Sequence, residues 1–418
     1  MLLAGTEDDL YQSSIEGLAY ASLRPVVKEK LAADPNFLNS LCQVLKSSPA
    51  KAPVTYGGLS ILSNLTSYLP KLSEEQKRIT QLKNYTNASK GSLNQDPLND
   101  DQHVLKRGKA VFDAGVIPVL VTHIQNWSTA SVILVITIVF SLAKNSKFRG
   151  KLAQQGGVKL LLHAYSVLPE SEIQARRTAA HALAMILIST DPLLVFGGST
   201  PHPLTSAIRP LLSLLGNDPV AEQRDLLPVF ESLLALTNLA STDDTARNFI
   251  IRLAWPSIEE LLLSNNVMVT RAAVELICNL VQSPEGVTKF ADGGKQASHR
   301  MHILLALADA EDLATRRAAG GALAALSGWD ASVNVIIERE RGCKILLGLC
   351  GEEGEELRHR GVVCVLNIIR APGEVGDRAR KKMREDGAVE VLKGCLMKSE
   401  SQEVLQTTVE ALKGLMGT

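Results

Sequence analysis

Aromatic residues are scarce in this chain, 4% of it against 45% hydrophobic residues overall. A core of that kind rests on Leu, Ala, Val and Ile, which suits helix packed on helix better than the aromatic-rich strands of a sandwich or barrel. An excess of one charge is missing too: Lys and Arg total 44, and so do Asp and Glu. No net field therefore draws the protein to nucleic acid or an anionic membrane, and neither is expected as a partner. The basic run Arg378 to Arg384 reads as a solvated helix face. The cysteines (Cys42, Cys278, Cys343, Cys350, Cys364 and Cys395) form no CxxC pair, the usage of a reducing compartment where thiols serve as small hydrophobes. The apolar run Ala130 to Ala143 falls short of the roughly 20 residues that cross a bilayer and reads as a fully buried core helix. The expectation is a cytoplasmic protein.

Catalytic motifs are absent as well. There is no phosphate loop, GxSxG elbow, HExxH or paired-carboxylate pattern. His299 and His302 lie one helical turn apart but lack further ligands at metal spacing, and Gly197 to Pro201 lacks the lysine of a phosphate loop. No enzyme activity, metal or cofactor is expected.

What is present is a repeat. Arg271-Ala-Ala-Val-Glu-Leu-Ile-Cys-Asn-Leu280 is echoed by Arg317 to Leu326, by His359 to Ile368 and, more loosely, by Phe230 to Leu239. Asn238, Asn279, Ala325 and Asn367 follow one another at steps of 41, 46 and 42 residues. A period of about 40–47 residues is that of armadillo or HEAT units. Glycine-marked phrases open the second helices at Gly115, Gly156, Gly342 and Gly387, where the backbone is expected to turn sharply. The fold class is therefore all-α, an armadillo/HEAT-like right-handed superhelical solenoid of about eight three-helix repeats. Residues 1–23 read as the tail of a repeat whose front half lies upstream, and residues 24–418 as the repeat domain. An insertion at about 67–102 breaks the register; Ser73 to Gln76 forms a capping box within it and Asn94 to Asp101 a polar stretch.

Solenoids of this kind offer a long surface lined by third helices. Asn238, Asn279 and Asn367, with Asn64 as a fourth, recur late on those helices, where an amide can donate to and accept from an extended peptide. Bracing of neighbouring loops is the competing role. Arg271, Glu275, Arg317 and Arg360 would make the groove polar and charge-mixed, or else pair between layers. Phe230, Tyr20, Tyr56 and Tyr85 are candidate groove aromatics. Four residues before the three asparagines stand Leu234, Glu275 and Val363, so the tryptophan ladder of nuclear-import receptors is missing.

Taken in order, Ser14-Ile-Glu-Gly-Leu-Ala-Tyr20, Val27-Lys-Glu-Lys30, Leu233 to Ala240, Arg271-Ala-Ala with Cys278-Asn-Leu280, Arg317 to Ala324, and Leu357 to Val363 with Val365-Leu-Asn367 resemble the UCS domain. That is the myosin-dedicated chaperone module of fungi and animals, and the likeness runs from residue 14 to residue 368. It implies a co-chaperone that binds the myosin motor domain and works beside Hsp90- and Hsp70-class chaperones, with the insertion near the client groove. No 34-residue TPR pattern occurs, which leaves fungal-type members as the better match. A generic armadillo scaffold without chaperone activity is the alternative. Shortening residues 67–102 to a few residues is expected to leave the fold intact but impair client handling. Unchanged suppression of myosin aggregation by the shortened chain would refute this.

Overall fold

The computed structural model describes residues 7–47, 52–69, 96–197, 202–216 and 225–417. Among them all regular structure is helical. The chain divides into two compact units, Met1–Ser213 and Leu214–Thr418.

The first unit opens on a lone long helix, Glu7–Ala21. Three-helix sets follow: Pro25–Ala32, Pro35–Ser47 and Ala52–Thr66; Asp101–Asp113, Val116–His123 and Thr129–Ala143; Ser146–Gln154, Gly157–Val167 and Ile173–Ile188. Glu7–Ala21, Ala52–Thr66, Thr129–Ala143 and Ile173–Ile188 pack each on the next. In the second unit the same role falls to Leu227–Ala240, Val267–Leu280, Leu313–Leu326, Glu355–Ile369 and Gln402–Met416, again each on the next. This is the armadillo-like stack that the repeat period predicts.

Local chemistry sets the helix ends. Asn266, Asp312, Asp243 and Ser283 cap helix starts by accepting from backbone N–H groups two or three residues on. Gly115, Gly156 and Gly387 sit at φ of +76°, +89° and +84° between first and second helices, the left-handed geometry the glycine phrases imply. Gly342 differs. Its φ is not positive, and it is glycine because a Cβ would lie 2.0 Å from the Ile336 carbonyl oxygen. One pair of helices is fused: Asp244–Leu261 runs unbroken for 18 residues with Pro256 inside it, replacing the expected first and second helices.

The helix Thr129–Ala143 corrects a second expectation. Val132, Val135, Ile136, Ile138, Val139 and Leu142 are buried, but Ile133, Leu134, Thr137 and Phe140 are only partly so and form one stripe. Its length of 15 residues fits a layer of the stack. Among the described residues no helix is long and apolar enough to cross a membrane. Five of the six cysteines are buried and none is in a disulfide. Burial pushes the thiols of Cys343 and Cys364 up to about 12, so they stay protonated and packed.

Arginines close the open carbonyl ends of third helices. Arg149 Nε donates to Ala143 O at 2.8 Å and Arg247 Nε to Ala240 O at 2.8 Å. A guanidinium nitrogen of Arg380 reaches Ile369 O at 2.6 Å, and Arg384 Nε reaches Leu415 O at 2.7 Å. A cation at a helix C-terminus also meets the negative end of the macrodipole. Part of the basic run Arg378 to Arg384 is thus structural. Arg107 is the largest fully buried side chain. It donates to Leu65 O at 3.2 Å and Leu98 O at 2.6 Å and pairs with Glu29, which ties the far end of the insertion to a first and a third helix. Removing it leaves the half-exposed Glu29 without its cation and two carbonyls without a donor. Arg107→Ala is expected to lower stability by about 3 kcal/mol, read as a drop in the urea midpoint of the chain's first unfolding transition.

Candidate functional site: the third-helix faces

In the second unit a stripe of partly exposed side chains runs along each third helix. Phe230, Leu234 and Asn238 stand on Leu227–Ala240, and Arg271, Glu275, Cys278 and Asn279 on Val267–Leu280. Arg317 and Gly321 continue it on Leu313–Leu326, and Arg360, Val363 and Asn367 on Glu355–Ile369. The repeat places these positions in register, and helix-on-helix packing brings them side by side.

The asparagines reach backward. Asn279 Nδ2 donates to Thr237 O at 2.9 Å. Asn367 Nδ2 donates to Ala324 O and Ser327 Oγ, both at 3.1 Å. In the first unit Asn64 Nδ2 makes the same pair of bonds, to Ser22 Oγ at 2.9 Å and Ala19 O at 3.3 Å. Each amide nitrogen therefore braces the preceding third helix; at Asn64 and Asn367 both N–H groups are used and the amide oxygen is left for a visitor, while Asn279 keeps a second N–H as well. Where Ala325 takes the asparagine's place, the joint is crossed by charge instead. Arg271 grips Asp312 with two nitrogens, at 3.0 and 2.5 Å, and Arg300 grips Glu259 at 3.1 Å.

The other arginines are engaged too. Arg360 donates to Glu356 Oε1 at 2.6 Å and to the Arg317 carbonyl, while Arg317 approaches Glu356 Oε2 at 3.5 Å. Arg360 crosses directly over Gly321. A Cβ there would lie 2.9 Å from the guanidinium and 2.9 Å from Cys278 Sγ, so the glycine opens the path for the arginine. Glu275 is the exception in this lattice. Its carboxylate is half-buried and makes no hydrogen bond or ion pair with any described residue. Desolvation pushes its pKa up, and the more distant Arg271 and Arg317 pull it back.

The first unit carries a cleft of about 510 Å³ between Glu7–Ala21 and Ala52–Thr66, with Leu134 at its edge. Tyr20 and Tyr56 line it and are 68% and 47% exposed; Asn64 lines it as well. At Gly57 a Cβ would lie 2.5 Å from Ile15 Cγ2, so these two helices approach closely only through glycine. Tyr85 and most of the insertion lie outside the described residues. Among the described residues no group of His, Cys, Asp or Glu could hold a metal. Sequence spacing found the stripe but missed Ser22, Ser327, Asp312 and Glu356 as its fixed partners. Asp312 does carry a signal, since Asp-Leu-Ala-Thr315 is a helix-capping pattern.

No family model matches the chain. It is 30% identical over 396 residues to ring assembly protein 3 of Schizosaccharomyces pombe, covering 94% of this chain and 51% of that protein. It matches the structure of UNC-45 from Drosophila melanogaster with a TM-score of 0.80 at 28% identity, over 99% of this chain and 50% of that one. Its relatives thus include ring assembly protein 3 and UNC-45. The myosin chaperone UNC-45 from C. elegans, solved with an Hsp70 peptide, shares the fold at a TM-score of 0.77 and 23% identity, over 97% of this chain and 41% of that one. The chain spans about half the length of the curated relative described above.

Acid tests this lattice. Hydrogen bonds from Arg271 and from Thr315 hold the Asp312 carboxyl well below the usual carboxylate range. A depressed folded pKa means stability that is present above the unfolded value near 4 and is lost as pH falls through the folded one. Asp312→Asn is expected to lower the thermal midpoint most at pH 7, with the gap to the unsubstituted chain narrowing between pH 4 and pH 2. A gap independent of pH, measured by circular dichroism, would contradict this role.

Proposed function

We propose that this chain is a UCS-type co-chaperone which binds the myosin motor domain through its third-helix faces. Its mode is stoichiometric binding without turnover, acting beside Hsp70- and Hsp90-class chaperones in the cytoplasm. The observation that carries this reading is the state of Glu275. A carboxylate held half-buried without a partner costs the free protein stability, and such a cost is recovered when a partner supplies the missing donor. The surrounding stripe supports the same reading: Phe230 offers apolar surface, Asn238, Asn279 and Asn367 offer amides, and Arg271, Arg317 and Arg360 fix the charge pattern. In the first unit the cleft with Tyr20, Tyr56 and Asn64 is a second point of client contact, and Tyr85 is assigned to the same task.

Two measurements test the proposal. At near-equal molar ratio the chain is expected to suppress heat-induced aggregation of a myosin motor domain; an inert chain would leave a generic armadillo scaffold as the better reading. Glu275→Gln is expected to weaken capture of the motor at least fivefold while leaving the thermal midpoint unchanged or raised by about 1–2 °C, because it removes an unfavourable buried charge. Capture at undiminished strength would remove Glu275 from the client face.

A further inference from the structure

Between Asp113 and Glu170 the sequence contains no Asp or Glu, yet it carries Lys144, Lys147, Arg149, Lys151 and Lys159. In a chain whose charges otherwise balance, this leaves a locally cationic surface on the first unit. Arg149 is spent on the Ala143 carbonyl, and Lys144 lies over the rings of Tyr68 and Phe140. Lys147, Lys151 and Lys159 are exposed, and their ammonium groups enter no ion pair or hydrogen bond with any described residue.

Lys159 lines a cleft of about 420 Å³, and Lys147 and Lys151 stand on the helix Ser146–Gln154 that forms one of its walls. Gly150, Ala153 and Gln154 of Ser146–Gln154 form one wall, and Lys159 lines it directly. Helical spacing puts Lys147, Gly150, Lys151 and Gln154 on one stripe, so the cation pair flanks the lining residues. Leu194 and Val195 form the opposite wall. Leu194 is 83% exposed and its neighbour Leu193 64%, unusual values for leucine beside a cleft. The one carboxylate at the rim, Asp191, accepts from the Leu193 N–H at 2.8 Å and caps its short helix.

We propose that this cleft is a docking site for an acidic peptide segment bearing a bulky apolar side chain. Aspartates or glutamates of the segment pair with Lys147, Lys151 and Lys159, and its apolar side chain packs on Leu194. Charge complementarity selects an anion, and the concave shape with a leucine wall selects a peptide over a flat lipid surface. The site lies on first and second helices, away from the third-helix faces assigned to the motor domain, and it does not depend on that assignment.

The probe is a fluorescein-labelled peptide of alternating aspartate and leucine, compared by anisotropy with its asparagine-and-leucine counterpart on the full chain. The aspartate peptide is expected to bind at least tenfold more tightly at low salt and to lose that advantage as salt rises. The triple variant Lys147→Gln, Lys151→Gln, Lys159→Gln should abolish the difference, and Leu194→Ser should weaken binding at least threefold. Both variants should suppress motor aggregation as well as the unsubstituted chain and keep its circular dichroism. The inference fails if the two peptides bind alike or if the triple variant binds as before. It fails too if only phosphatidylserine vesicles respond to the substitutions, or if motor protection is lost together with peptide binding.

Discussion

Third helix against third helix is the contact on which everything else depends. No single layer can bury the apolar side of a 14- or 15-residue helix alone; its neighbours must do it. The backbones approach closely because small residues stand at the contacts. Ala272 and Ala273, Ala318 and Ala319 with Gly320, and Gly361 are all buried. Within a layer, a Cβ at Gly361 would lie 2.7 Å from the Cys350 nitrogen of the second helix; between third helices, a Cβ at Gly57 would clash with Ile15. Close packing leaves little tolerance for extra methyl groups and so fixes the register of one layer on the next. That register is what lines up side chains separated by more than forty residues in sequence.

Polar groups then lock the layers, and the lock limits what the exposed stripe can offer. The Asn367 amide nitrogen, bonded to both Ala324 O and Ser327 Oγ, has no donor left for a visiting backbone. Arginines paired to Asp312 and Glu356 present a mixed, neutralised surface, which suits weak and sequence-tolerant gripping better than recognition of one motif. The bracing and binding roles of the asparagines are therefore divided between two atoms of one side chain. Glu275 stands apart because the lattice surrounds it without satisfying it.

The fold was legible because packing imposes a period, and a period survives in a single sequence. Glycines at positions 115, 156 and 387 were legible for the same reason: a left-handed turn leaves almost no other choice of residue. The fused helix Asp244–Leu261 left no such mark in the sequence, and Gly342 shows that the same residue can answer a different constraint. For the site, spacing located Asn279, Asn367, Arg271 and Glu275, but not where their polar atoms point. That depends on which carbonyl the preceding helix leaves in reach, a fact of three-dimensional neighbours. The lysine-rich stretch between Asp113 and Glu170 is visible as an absence of acids, yet its meaning needed Leu194 of a later segment, which lines the same cleft as Lys159.

Satisfied and unsatisfied groups separate architecture from function in a solenoid better than composition does. Every layer must hold its neighbour, so paired charges such as Arg300 with Glu259 are explained by the stack alone. Groups the stack does not explain are fewer: a half-buried carboxylate without a donor, three exposed lysines without a carboxylate, two exposed tyrosines beside a cleft. Burying Glu275 without a partner gains nothing for the fold, and an exposed Leu194 gains nothing either. A protein that stabilised itself at every position would have replaced both, and one that works by holding other chains has reason to keep them unfilled.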